Sequence, residues 1–432
     1  MKYHISLILP GILLISLLFI PAVFAAENHA NGTETILFTL VGEPLYMTFD
    51  GDRVFWLQDS KHLNVTERGF YVYNLTDRSK KQIYRTGPQR DLTGPVPTVS
   101  ESPGGQSISG DRVVYHEYGI MLTNITTGST IQLTNQNDST LPISERKHNY
   151  NPWINRDRVV WTEHEWDSLG TTKGKIVLLN LTTGERYYLP TGAPGNQSFP
   201  RISGDFVIWV DIRNEGRDNP DLYLFNIETG TKTCLTQPKM LRAIPYIQGD
   251  QVLWAEKIDG IFTLIHYDIS TGTRNGLGPG SLHEGHIPQL SDNRIVWLQP
   301  KNPLDIGDQR SAVTVMDLIT GEKNQITQFR DGLSSPVISG DRIIYTRGAG
   351  ENIFTEPREV VLYTLAPRPI LSASTIQTGT GADNTTPAIS PNQKATLPSR
   401  TTPAALPGFS AVLLIIGLVA GAILLVGVRE KR

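Results

Sequence analysis

The chain has 432 residues, 39 Lys+Arg against 42 Asp+Glu, and a single cysteine, Cys234. A formal net charge of −3 without a basic stripe gives nucleic-acid binding little electrostatic support, so no nucleic-acid partner is expected. One cysteine excludes an intramolecular disulfide, and any core must rest on packing alone. Glycine and proline number 39 and 28, enough to supply turns throughout, and helical periodicity is hard to find between residues 34 and 365.

Residues 1–25 read as a secretory signal peptide. Lys2 gives a positive start, Ile5 to Phe24 is mostly apolar, and Val23-Phe-Ala25 offers small residues for cleavage. An orphan strand follows, Thr35-Ile-Leu-Phe-Thr-Leu40, in a chain segment with no partner nearby in sequence.

One phrase is then written seven times. It runs Phe49-Asp-Gly-Asp-Arg-Val-Phe-Trp56, Ile108-Ser-Gly-Asp-Arg-Val-Val-Tyr115, Ile154-Asn-Arg-Asp-Arg-Val-Val-Trp161 and Ile202-Ser-Gly-Asp-Phe-Val-Ile-Trp209. It continues as Ile247-Gln-Gly-Asp-Gln-Val-Leu-Trp254, Leu290-Ser-Asp-Asn-Arg-Ile-Val-Trp297 and Ile338-Ser-Gly-Asp-Arg-Ile-Ile-Tyr345. The Asp/Asn positions (52, 111, 157, 205, 250, 293, 341) are 59, 46, 48, 45, 43 and 48 residues apart. An apolar residue ends one strand, Gly-Asp makes the turn, and Val/Ile with an aromatic opens the next. The Asp is expected to bond its own backbone in that turn.

A third strand ends in Asn/Asp-x-x-Thr-Gly, as in Leu178-Leu-Asn-Leu-Thr-Thr-Gly184, and a short fourth follows, as in Thr233-Cys-Leu-Thr236. A loop then leads to Pro152, Pro200, Pro245, Pro288 or Pro336 before the next phrase. Four strands per unit and seven units predict an all-β, seven-bladed β-propeller over residues 34–365. After the seventh phrase only Val360 to Leu365 remains, so Thr35 to Leu40 is expected to close the last blade beside it.

Candidate chemistry lies where the copies differ. Trp153, Arg201, Tyr246 and Gln289 each follow one of these prolines and are the expected ligand contacts at the channel mouth. His283, Glu284 and His286, with His148 in a comparable loop, could hold a divalent metal; otherwise no cofactor is expected. Asp211, Arg213, Asn214, Asp218 and Asp221 form a charged loop, and Glu163 to Asp167 occupy the equivalent loop one blade earlier. The Arg in the former argues against calcium, and the latter orients no acid against a base. The recurring Trp56, Trp161, Trp209, Trp254 and Trp297 are core. No Gly-x-Ser-x-Gly elbow is present, which disfavours a propeller-gated peptidase. Eight N-glycosylation sequons stand at Asn31, Asn64, Asn74, Asn124, Asn137, Asn180, Asn196 and Asn384.

Residues 366–407 are rich in Thr, Ser and Pro and read as a disordered stalk. Residues 408–428 are long and apolar enough for a transmembrane helix, and the basic tail 429–432 favours a cytoplasmic C-terminus.

Pro407-Gly408-Phe409, between the stalk and the apolar run, resembles the PGF-CTERM sorting signal of archaeal surface proteins. That resemblance implies cleavage by an archaeosortase and attachment to membrane lipid. The repeats resemble TolB-like propeller repeats and, more closely, those of methanogen cell-surface proteins. The best-matching unit runs from Ile208-Trp-Val-Asp-Ile-Arg-Asn214 through Asp221-Leu-Tyr-Leu-Phe-Asn-Ile-Glu-Thr-Gly230 to Leu235-Thr236. Fold and location are implied by it; activity is not. The expectation is a non-enzymatic, membrane-anchored surface module that binds protein or glycan. The alternative is a metal-dependent polysaccharide lyase or hydrolase centred on His148, His283 and His286.

Overall fold

The computed structural model describes residues 31–42, 44–58, 69–85, 106–117, 119–134, 147–166, 172–190, 196–211, 220–236, 245–280, 287–305, 307–334, 336–348 and 357–368. The signal, stalk, sorting motif and apolar C-terminal run lie outside them, as do His283, His286, Asn64, Asn137 and Asn384. The described residues contain 28 strands and no helix. They form seven four-stranded antiparallel sheets, the seven-bladed propeller that the repeat predicts.

In blades one to six the strands run from axis to rim in chain order. The seventh blade takes its outermost strand, Gly32–Val41, from the N-terminus; it pairs antiparallel with Pro357–Leu365. This strand is longer than the six residues expected. Phe38 carries it into the first blade by stacking near Trp56, at 5.9 Å between ring centroids, and Tyr73, at 4.7 Å. Glu34 accepts hydrogen bonds from Tyr345 (2.8 Å) and Arg347 (2.6 Å) of the same sheet.

Among the described residues the core falls into seven clusters, each shared by two blades. Trp161 packs with Val114, Ile120 and Leu122 of the blade before it. Trp209 packs on Val160, Ile176 and Leu178, and Trp254 on Ile208 and Leu222. Tyr115 and Tyr345 do the same where the phrase ends in Tyr. The repeating aromatic is therefore the wedge between blades. A cation from the outer strand lies over the wedge, with Lys80 at 5.6 Å from the Trp56 ring, Arg186 at 5.1 Å from Trp161 and Lys323 at 5.1 Å from Trp297.

The Gly-Asp turn has a function between blades that its local chemistry hides. In every repeat the backbone oxygen of the Asp/Asn accepts an N–H from the end of the third strand, as for Leu75 to Asp52 (2.8 Å) and Leu181 to Asp157 (2.7 Å). In four of the seven turns the Asp side chain is engaged across a blade boundary rather than on its own backbone. It meets the phrase's Arg from the preceding blade: Arg53 with Asp111, Arg112 with Asp157 (2.8 Å), Arg158 with Asp205 (2.5 Å), and Arg342 with Asp52 across the closure. The residue two before the Asp adds a second latch. Ser109, Asn155, Ser203 and Ser291 accept the N–H of residue 156, 204, 249 and 340 of the following blade, at 2.8–3.0 Å.

Candidate functional site

The innermost strands are Pro44–Asp50, Ser107–Ser109, Lys147–Asn155, Gln197–Ser203, Tyr246–Gln248, Gln289–Ser291 and Val337–Ser339. Each neighbours the next, and the last neighbours the first, so they ring one axis. Thr48, Ser107, Trp153, Arg201, Tyr246, Gln289 and Val337 occupy one register, each paired three residues into the following strand. The wedge and turn residues repeat from blade to blade; this ring does not.

Three of the four expected contact residues come together. Trp153 lays its ring over the Arg201 guanidinium at 4.2 Å. It also reaches past that blade to meet Tyr246 edge-on, with centroids 6.1 Å apart and planes at 89°. Gln289 is buried at the same register in the sixth blade. Arg201 is 2% exposed. Its Nη1 donates to the Pro200 carbonyl at 2.9 Å, and its Nε has no acceptor. Among the described residues no carboxylate pairs with it. Burial pulls its pKa down to about 9, against a smaller opposing effect of Tyr246, and burial pushes Tyr246 up.

The same strands are bulged in blades one, three and four. Tyr46, Asn151 and Phe199 take positive φ of 52°, 54° and 53°, and the register slips there, opposite Trp56, Trp161 and Trp209. Asn tolerates this region, but Tyr and Phe rarely enter it. Pro152 and Pro200 lie within these strands rather than in loops before them. A bulge needs no ladder N–H from them, so proline is accommodated.

His148 is likewise in a strand, not a loop: it pairs directly across from His164. His116 of the second blade, His148 and His164 surround the Tyr150 ring, at 5.3, 6.0 and 5.6 Å between centroids. Burial, then the charge of His148, lowers the His164 pKa to about 4. No group of three or more His, Cys, Asp or Glu among the described residues is arranged to hold a metal ion.

Glu163 to Trp166, expected in a hairpin loop, belong to the strand Arg158–Trp166. Glu163 is buried and bonded to Lys147 (2.8 Å), Arg186 (2.6 Å) and Tyr188 (2.5 Å). Burial alone would raise its pKa, but those partners hold it below the usual carboxylate value. Asp211 and Asp221 end and begin paired strands and face each other across them, both buried. Arg213, Asn214 and Asp218 lie outside the described residues.

Of the sequons within the described residues, Asn31 is exposed. Asn74, Asn124 and Asn180 use their side-chain oxygens to accept turn N–H groups at 2.8–2.9 Å. The Asn196 side-chain oxygen is buried without a partner. Cys234 is exposed on the outer strand Thr231–Cys234.

No protein-family model matches the chain, and neither does any curated protein. Solved structures match at low identity. TolB from Acinetobacter baumannii is 15% identical over 66% of this chain and 67% of that one, with a TM-score of 0.43. A puromycin hydrolase is 14% identical with a TM-score of 0.52, covering 71% of this chain and 50% of the hydrolase. An oligogalacturonate lyase from Vibrio parahaemolyticus is 11% identical with a TM-score of 0.51, covering 78% of this chain and 98% of the lyase. The chain spans about half the length of the hydrolase. The likenesses to the hydrolase and the lyase, both with a TM-score above 0.5, bear on the β-propeller fold alone.

Proposed function

We propose that this protein is a non-enzymatic binding module displayed at the cell surface, exported by its N-terminal signal and held to the membrane through its C-terminus. Its partner is a surface protein or glycan, contacted at the propeller axis. The convergence of Trp153, Arg201 and Tyr246 from three successive blades supports this reading most. The seven copies agree at wedge and turn, where they build the ring, and differ at the axial level, where selection for stability alone would favour uniform apolar filling.

Arrays of surface glycans and envelope proteins, probed with the full chain and with Trp153→Ala, test the binding. Retention by the native protein and loss with the variant are expected; equal retention overturns the axial site. Intact-mass spectrometry of the native membrane form tests the anchoring, with loss of residues 1–25 and a C-terminus near Pro407 expected. An unprocessed cytosolic chain contradicts it.

A further inference from the structure

We infer that the axial site recognises a carboxylate-bearing sugar, with the carboxylate on Arg201. The inference rests on the binding-module reading above and names its ligand class. Arg201 is a buried cation without a counter-ion among the described residues. Burying an unpaired charge is costly, and an unsatisfied buried group calls for an explanation such as a bound ion or ligand that completes it. A guanidinium matches a planar carboxylate through two parallel N–H bonds. Here Nη1 is partly engaged by Pro200, Nε is free, and Trp153 covers one face, so an anion must approach in the plane of the group.

Arg201's own strand and the innermost strand before it carry buried oxygens that lack donors, Gln197 Oε1, Ser198 Oγ and Asn151 Oδ1, and further round the ring so do Thr48 Oγ1 and Gln106 Oε1. Amide oxygens can only accept, so three of these five call for a ligand rich in hydroxyl donors. Hydroxyls, one carboxylate and an aromatic wall together describe a sugar acid better than a fatty acid or a peptide terminus.

Sodium D-glucuronate and D-glucose differ by a carboxylate in place of a hydroxymethyl group, and titration calorimetry of the full chain with each isolates that group. Glucuronate is expected to bind at least about tenfold more tightly than glucose. Arg201→Gln should abolish the difference while leaving the thermal midpoint unchanged or higher, because it removes a buried unpaired charge. Equal binding of the two sugars, or a preference that survives in Arg201→Gln, overturns the carboxylate assignment while the binding module stands. A Gly-Gly-Phe peptide that outcompetes glucuronate, and does so only with Arg201 present, overturns the sugar in favour of a peptide terminus. No saturation by either sugar or by the peptide overturns this inference, and the array result then decides the module reading separately.

Discussion

At the scale of single residues, the chemistry follows from what burial does to charge. His164 stays neutral in the fold because burial, and next the neighbouring His148, move its pKa from 6.5 to about 4. Between those values the unfolded chain binds a proton that the folded chain refuses. Stability from this group is therefore full above pH 6.5 and declines as the pH falls toward 4, at up to about 1.4 kcal/mol per unit. Denaturant unfolding across that range should show the slope, and His164→Gln should flatten it; a variant with the native slope would contradict the assignment. Glu163 acts in the same sense at lower pH: its folded pKa is also depressed, so its stabilisation is present at neutral pH and is lost in acid, below the usual carboxylate range. Glu163→Gln removes the buried acceptor of Lys147 and Arg186, but both cations are about half exposed and stay solvated, so the cost in unfolding free energy should be about 1–2 kcal/mol. A cost under about 0.5 kcal/mol, the size of an ordinary surface change, would show that the network carries little. The shared position of Trp153, Arg201 and Tyr246 was legible in the sequence because each follows a proline and stands four residues before a turn Asp. That Trp153 would span two blades was not legible, since reach across an axis leaves no periodic trace.

At the scale of elements, the phrase that reads as a hairpin turn is also a latch between blades. Arg158 bonds both Asp205 (2.5 Å) and the Gly204 carbonyl (2.9 Å) of the next blade. The pair is partly exposed, with side chains 32% and 48% accessible, so solvent screens it. A double-mutant cycle on Arg158 and Asp205 should return a coupling of about 0.5–1 kcal/mol that shrinks in high salt. Zero coupling at low salt would reduce the latch to incidental geometry. The phrase alone points to an Asp closed in its own turn because Asx turns are local, while the Arg158 partner of Asp205 lies across a blade boundary, 47 residues away in the chain. The strands Lys147–Asn155 and Arg158–Trp166 were underestimated for a related reason. Their ends carry His148, Asn149, Glu163 and His164, polar residues that alternate with no apolar signal.

At the scale of the whole molecule, the ring is fastened in two ways. The N-terminal strand fills the last blade, a closure that the sequence announced by an unfinished seventh repeat and an orphan first strand. Deleting residues 33–41 exposes the edge of Pro357–Leu365 and removes Phe38 and Leu40 from the cluster shared by the last and first blades. A much lower thermal midpoint and an apparent size larger than that of the intact chain are expected in scanning calorimetry and size-exclusion chromatography; a midpoint equal to the intact chain would disprove the clasp. The Arg–Asp latches, by contrast, join blades seven, one, two, three and four. Further round, Phe206 and Gln251 replace the Arg, and Arg294 turns to Asp317 of its own blade at 3.4 Å. The axial residues sit where this latched arc ends. In the function proposed above, the unrepeated residues on the axis, not the repeated face or the rim, engage the partner. Hydrogen-exchange mass spectrometry of the full chain with and without a captured partner measures this most directly. Protection is predicted in the innermost strands around residues 148–154, 197–203 and 245–248. Protection confined to the outermost strands or to the Gly-Asp turns, with the axis unchanged, would contradict it.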